Sequence, residues 1–442
     1  MGEEKHDEEL IKLKFDEVAS IIEKGDSDEL RRVLERGQFT DINERKGLYG
    51  QTLLMIACKS GFIDCVKVLL DYKASLNRGY EVGEILRCAC HSGSVEMVRF
   101  IIASGLSVCD EAIMSVFQSE DLMKFTEIII VLIEHICNIN INFRGTFICW
   151  ASKVGNVAIV RALLEKGADP HKVYYTCDDS LTAASGEGHL EVVKLLLTWD
   201  HATGKRIWQD SLVRALDEAS CYGHIDVVRC LIEYRLDTSV LRSVIWTAVE
   251  SNQVEVAEYL LNIATDSIRL SMNDLLGFSC RHQFVDMVRM LIARGVDPNA
   301  TDTTGHFPLQ EALRHPDIVE VLLEAGADPN IHFKDGKTAL FDVAMSFRVH
   351  ECEVTLLLLQ HGADPNLAYT ETGMTPLILA ALAASIDLVK VLLEHGADVT
   401  QATHAGKTVL DMVADDPMYA QVVELCMQYI DINQQVAKPF LK

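Results

Sequence analysis

The sequence predicts an all-α repeat solenoid, and three observations carry that prediction. An apolar pattern of two short helices recurs along the chain. A turn glycine separates the helices of most copies at a spacing of roughly 33 residues. No copy is large enough to bury both of its apolar faces alone, so each needs neighbours of the same kind. The pattern is plainest in GHFPLQEALRHPDIVEVLLEAGADPN, Gly305 to Asn330. Leu309 and Ala312 lie three apart on one face of a first helix. Ile318, Val319, Leu322 and Leu323 form the stripe of a second. Gly326 can end that helix in a left-handed conformation, and Asp328-Pro329-Asn330 supplies turn chemistry for a hairpin loop.

The unit returns from Gly50 to Asn77, from Gly145 to Pro170 and from Gly373 to Thr400, and its second half at Gly186–Leu197, Tyr222–Ile232 and Phe284–Asn299. Gly61, Gly93, Gly155, Gly188 and Gly223 mark the turn between helices. On these residues the chain resembles the ankyrin-repeat family. Thr375-Pro376-Leu377 matches the family's T-P-L opening, Gly188-His189 its inter-helix turn, and Gly362-Ala363-Asp364-Pro365-Asn366 its loop. The likeness covers nearly the whole chain, at about a dozen units. It implies an ankyrin-repeat array of helix-turn-helix units joined by β-hairpin loops. It also implies a curved stack, with hairpin tips on one edge and the first helices lining a concave face.

Taken in order, residues 1–9 are acidic, lack apolar periodicity and are expected to be disordered. Residues 10–43 read as an N-terminal capping helix pair built on Leu10, Leu13, Val18, Ile21, Ile22, Leu30, Val33 and Leu34. The repeat array then runs over 44–403. Within it, residues 110–141 lack a glycine turn and read as a degenerate unit, either a hinge or a divergent repeat. The stretch between Leu197 and Ser211 reads as a long loop carrying Trp199 and Trp208, and Asn252 replaces a turn glycine. The helix–helix turn shortens at His315-Pro316 and lengthens around Ser346 to Glu351, lifting a small loop. Residues 404–435 read as a C-terminal capping repeat and 436–442 as a polar tail. There is no sign of a linker or second domain.

The totals narrow the function. About half the residues are apolar (49%), which suits a thin array and excludes disorder by composition. A net charge of −25 argues against nucleic acid, whose phosphates are bound by Lys and Arg, and permits partner proteins with a basic surface. Thirteen cysteines in no regular framework, with no secretory signal at the start, point to a reducing compartment, cytoplasmic or nuclear. The most apolar run, Ile128 to Ile133, is too short to cross a bilayer, so no membrane association is expected.

No catalytic constellation is legible, so no enzyme activity is expected. His189 and His224 recur at the repeat period, as structural residues do and active-site residues do not. Cys88, Cys90 and His91 share a short helix but point to different sides, which prevents one metal from collecting them. Asp297, Asn299 and Asp302 lack the last carboxylate of a calcium loop. No metal or cofactor is therefore expected. Partner binding falls to exposed large side chains: Tyr49, Tyr80, Tyr174, Tyr175, Phe333 and Tyr369 at hairpin tips, and Trp150 and Trp246 beside the groove. The reading is a non-catalytic intracellular protein–protein interaction scaffold or adaptor of unknown oligomeric state. Two alternatives stand beside it. One is the substrate-recognition subunit of a ubiquitin ligase, although the C-terminal Val436 to Lys442 is too short and polar to resemble a recruiting box. The other is a substrate of an asparaginyl hydroxylase, which the resemblance would place on the loop residues Asn299, Asn330 and Asn366.

Overall fold

The computed structural model describes residues 15–35, 41–45, 50–77, 81–117, 125–140, 146–172, 179–203, 209–234, 240–264, 271–345 and 351–437. Tyr49, Tyr80, Tyr174 and Tyr175, the acidic residues 1–9, most of the polar tail and the 346–350 loop lie outside them. The chain divides into two units, Met1–Leu236 and Asp237–Lys442.

In the first unit, helices 15–24 and Ser27–Glu35 form the opening pair. First helices then follow at Leu53–Ser60, Glu81–His91, Asp110–Phe117, Phe147–Val154, Ser180–Gly186 and Gln209–Cys221. Their partners are Ile63–Asp71, Val95–Ala103, Thr126–Ile133, Val157–Glu165, Leu190–Thr203 and Ile225–Glu233. The second unit has first helices Leu241–Glu250, Met272–Arg281, Pro308–Ala312, Ala339–Met345, Pro376–Leu382 and Val409–Val413. Their partners are Val254–Ile263, Val285–Ala293, Pro316–Glu324, Glu351–Gln360, Ile386–Glu394 and Ala420–Ala437. In each unit, first helices pack mainly on first helices and second on second, and most pairs pack on themselves. The repeat solenoid read from the sequence is therefore present in both units.

Local chemistry explains where the helices begin and end. Thr52, Thr146 and Thr375 cap first helices, each hydroxyl accepting from the amide three residues on. Pro376 follows its cap at a position where no amide is needed. Between helices, Gly155 holds φ +80°, and a Cβ there would lie 2.5 Å from the His189 ring. That ring meets the Lys153 carbonyl at 3.0 Å through Nε2, and the His224 ring meets the Gly186 carbonyl at 2.9 Å. The repeated histidines thus tie one turn to the next, as their periodicity implied. Asn252 takes the left-handed position with φ +54°, as expected. Gln283 and Ala384 do the same, although neither is a turn residue by type.

The degenerate unit holds two helices, Asp110–Phe117 and Thr126–Ile133, each packed on its counterparts in the neighbouring repeats. The Asp110 carboxylate accepts hydrogen bonds from the Cys137 and Asn138 amides, both at 2.8 Å, and so pins the start of its first helix to its own following loop. The turn at His315-Pro316 is short, and the helix before it has only five residues. Three details differ from the sequence reading. Trp199 lies on a helix rather than a loop, since Leu190–Thr203 runs on past the point where its equivalents end. The last helix continues to Ala437, past the expected repeat boundary at 435. The loops contain no β-strand among the described residues. Those of the second unit close instead through a few backbone bonds, such as Phe333 N–H to the Lys337 carbonyl and Gly336 N–H to the Phe333 carbonyl, both 2.8 Å. Such loops are too short to extend a ladder.

Candidate protein-binding surface

The first helices carry their small residues inward and a variable residue outward. Ala151-Ser152, Ala184-Ser185 and Ser279-Cys280 are all buried. The residue before each pair turns toward solvent, and there Trp150 and Phe278 are half-buried. Trp246 precedes its own small residue, Ala248, by two positions and is also half-buried.

Trp246 and Phe278 meet edge to face, with ring centroids 5.8 Å apart. Phe278 stacks on His282 at 4.0 Å, and Phe284 closes the group at 5.8 Å from His282. These four side chains come from two successive first helices and the turn after them, and His282 is exposed. Beside them, Arg281 grips Glu311 with two hydrogen bonds of 2.7 and 2.8 Å. The site therefore pairs an apolar, aromatic centre with a charged margin. Phe278 and His282 were missed from sequence. Their signal was available, since Phe278 precedes Ser279-Cys280 just as Trp150 precedes Ala151-Ser152.

The other expected contact residues separate. Phe333 is 3% exposed and packs under its loop against Phe307, 6.2 Å away, so it is not a tip residue. Hairpin phase alone does not distinguish an aromatic pointing out from one folded beneath the turn. Tyr369 is half-buried, its ring 5.1 Å from Phe341. Tyr222, which the sequence reading passed over, is 61% exposed.

Asn299, Asn330 and Asn366 have a plain structural role. The Asn330 amide donates to the Gly362 carbonyl at 2.9 Å and its oxygen accepts from the Asp364 amide at 2.7 Å. Asn299 bridges to Gly326 and Asp328, and Asn366 to Gly396 and Asp398, in the same way. Asn77 repeats the bridge in the first unit, to Gly105 and Ser107. Each Asn thus staples its loop to the next repeat. Replacing Asn330 with Ala removes both bonds at an exposed loop, where water can pair the freed groups, and lowers stability by about 1 kcal/mol, read as a shift of the urea midpoint.

The Asp302–His306–Glu311 cluster is tied up by hydrogen bonds and ion pairs within the protein. Asp302, His306 and Glu311 bring three ligand-type atoms within 4.8 Å of one another. Glu311, however, already holds Arg281, and His306 Nδ1 lies 3.1 Å from it. Burial alone would raise the Asp302 pKa. Hydrogen bonds from the Thr304 hydroxyl and the His306 and Thr304 amides outweigh it and hold the carboxyl below its ordinary range. Burial also pushes the Cys58 and Cys90 thiols up to about 12, which makes them unreactive core groups. Cys90 is buried and His91 is exposed, as expected for residues on different sides of a helix. No helix among the described residues is long and apolar enough to cross a membrane.

Comparison with known proteins agrees with this architecture. The family description "Ankyrin repeats (3 copies)" matches residues 18–112, 180–271, 245–333 and 326–403, and "Ankyrin repeats (many copies)" matches 148–197. The chain is 26% identical over 290 residues to the Caenorhabditis elegans "Ankyrin repeat and KH domain-containing protein mask-1", covering 61% of this chain and 11% of that protein. It is 34% identical over 131 residues to the Mus musculus "B-cell lymphoma 3 protein homolog", covering 28% and 29%. To the human "Neurogenic locus notch homolog protein 4" it is 43% identical over 112 residues, covering 24% and 5%. The chain thus spans less than a third of each of these relatives. Ankyrin repeats generally mediate protein–protein interaction and are typically non-catalytic. With family matches over most of its length, and the same caps, turns and staples repeated through its helices, the chain belongs to the ankyrin-repeat family.

Proposed function

We propose that the protein is a non-catalytic intracellular scaffold or adaptor that holds partner proteins on the outward side of its first helices. The observation that carries this reading is the Trp246–Phe278–His282–Phe284 group. These side chains meet one another on the outward side of the first helices and stay partly open to solvent, where most large apolar side chains of the array are buried against neighbouring repeats. Aromatic anchors with a charged margin supply most of the energy of a protein interface. Trp150 is the corresponding anchor in the first unit, and Tyr369 a secondary one.

The partner carries a basic surface. Residues 237–442, which hold the aromatic group, contain 13 Lys and Arg against 28 Asp and Glu. Like charge repels an acidic partner, and opposite charge speeds encounter with a basic one. A cytoplasmic or nuclear setting suits a chain whose buried thiols are packed as small apolar groups.

The test is affinity purification of the full chain beside a Trp246→Ala/Phe278→Ala variant. Loss of at least about tenfold in a recovered partner, at an unchanged melting midpoint, is the expected result for two hot-spot residues. Equal recovery on both baits would remove this surface as the binding site.

A further inference from the structure

Buried hydroxyls in a helix normally find a partner, and Ser279 shows the usual solution. It is fully buried, and its Oγ donates to the Leu275 carbonyl one turn back at 2.7 Å. Three consecutive first helices of the first unit depart from this. Ser152 on Phe147–Val154, Ser180, Thr182 and Ser185 on Ser180–Gly186, and Ser220 on Gln209–Cys221 are each 1% exposed or less. None of these five hydroxyls has a hydrogen-bond partner, and the Trp150 indole N–H on the first of the helices lacks one too.

Their placement is regular. Ser152, Ser185 and Ser220 each follow a buried alanine, Ala151, Ala184 and Ala219, at the same register of the repeat. Small residues let the three helices approach closely, and Ser180–Gly186 packs directly on both of its neighbours. The charged groups nearby are satisfied: Asp179 accepts from the Thr182 amide at 2.8 Å and pairs with Arg214 at 3.4 Å. On these three helices, and among the described residues, the unpaired buried side-chain atoms are the five hydroxyls and the indole; elsewhere they include Gln310 Oε1.

A buried polar group without a partner has lost its water and gained nothing in return. In a repeat array, stability is a sum of unit terms and nearest-neighbour contacts, so a run of contacts that each bury an unpaired hydroxyl is not averaged away by a common core. We propose that the repeats bearing these three helices form an opening seam, a stretch that separates at its first-helix contacts before the rest of the first unit unfolds. Opening returns the five hydroxyls to water and exposes the small-residue faces of the helices. The His189 and His224 ties between turns lie at the helix ends, so the turns stay linked while the contacts part. The seam is a conformational device that goes beyond partner binding and does not depend on it.

Hydrogen exchange of the full chain, read by peptide mass, tests the proposal. In the wild type, peptides from 147–154, 180–186 and 209–221 exchange faster than those from 53–60 and 81–91 of the same unit. A Ser152→Ala/Ser185→Ala/Ser220→Ala variant slows exchange across the seam by at least about tenfold, because alanine removes each unpaired oxygen and leaves a void of only one atom. Ser279→Ala is the control, since it removes a paired hydroxyl at an equally buried site and gains only helix propensity. Exchange in the triple variant as fast as wild type, or a triple variant that fails to fold, would mean that the hydroxyls are satisfied in solution and would overturn the seam. Equal slowing around residue 279 in the control would assign the effect to propensity and overturn it as well.

Discussion

Replacing Phe117 with alanine lowers the stability of the first unit by about 3–5 kcal/mol, the usual cost of emptying a fully buried aromatic site. Phe117 ends the first helix of the divergent repeat and is 0% exposed. Its ring meets Phe147 of the next repeat edge to face, with centroids 4.9 Å apart. The stretch from 110 to 141 has no glycine turn to regularise it, so this contact and the Asp110 bonds to Cys137 and Asn138 hold it in line. Urea unfolding followed by circular dichroism gives the measurement. If 110–141 were a loose hinge, Phe117→Ala would shift the midpoint hardly at all. The expected large shift would establish it as a packed repeat.

Gly373→Val is the second large effect. Gly373 holds φ +71°, where a side chain costs roughly 1–2 kcal/mol even in open space. Here a Cβ would also stand 2.7 Å from the His404 backbone nitrogen, which donates to the Thr372 carbonyl at 3.0 Å. Backbone cannot swing aside as a side-chain tip can. The two neighbouring loops must part, and the loss comes to about 3 kcal/mol. Gly396→Val separates the two causes. Gly396 has φ +89° with no atom near its missing Cβ, so only the conformational cost applies. A larger midpoint shift for Gly373→Val than for Gly396→Val is expected, and equal shifts would rule out the contact with His404.

Much of this architecture was legible because it is periodic. A residue's role in a repeat is set by its phase, and phase is visible in one dimension. Leu322-Leu323 and Leu392-Leu393 fall in the core because each ends the stripe of a second helix. Thr375 caps a helix because Pro and Leu follow it, and Asn366 sits where a loop turns toward its neighbour. The candidate site was legible only in part. Trp150 and Trp246 were found by phase, and both are half-buried beside the small-residue pairs. Phe333 has the phase of a tip and the environment of a core residue, because a short loop can fold either face of an aromatic inward.

The sequence by itself determined the class of fold, the order of helices and turns, the loop asparagines and the family, since each follows from local chemistry repeated at one spacing. The tertiary structure alone decided which half-buried aromatics meet one another. Trp246 and Phe278 lie 32 positions apart in the chain, and their contact depends on how two repeats stack. It alone decided, too, that Ser279 finds a carbonyl while Ser152, Ser185 and Ser220 find nothing. Whether a buried hydroxyl is satisfied depends on ångström-scale distances across helix contacts, and residue type and phase do not encode those distances.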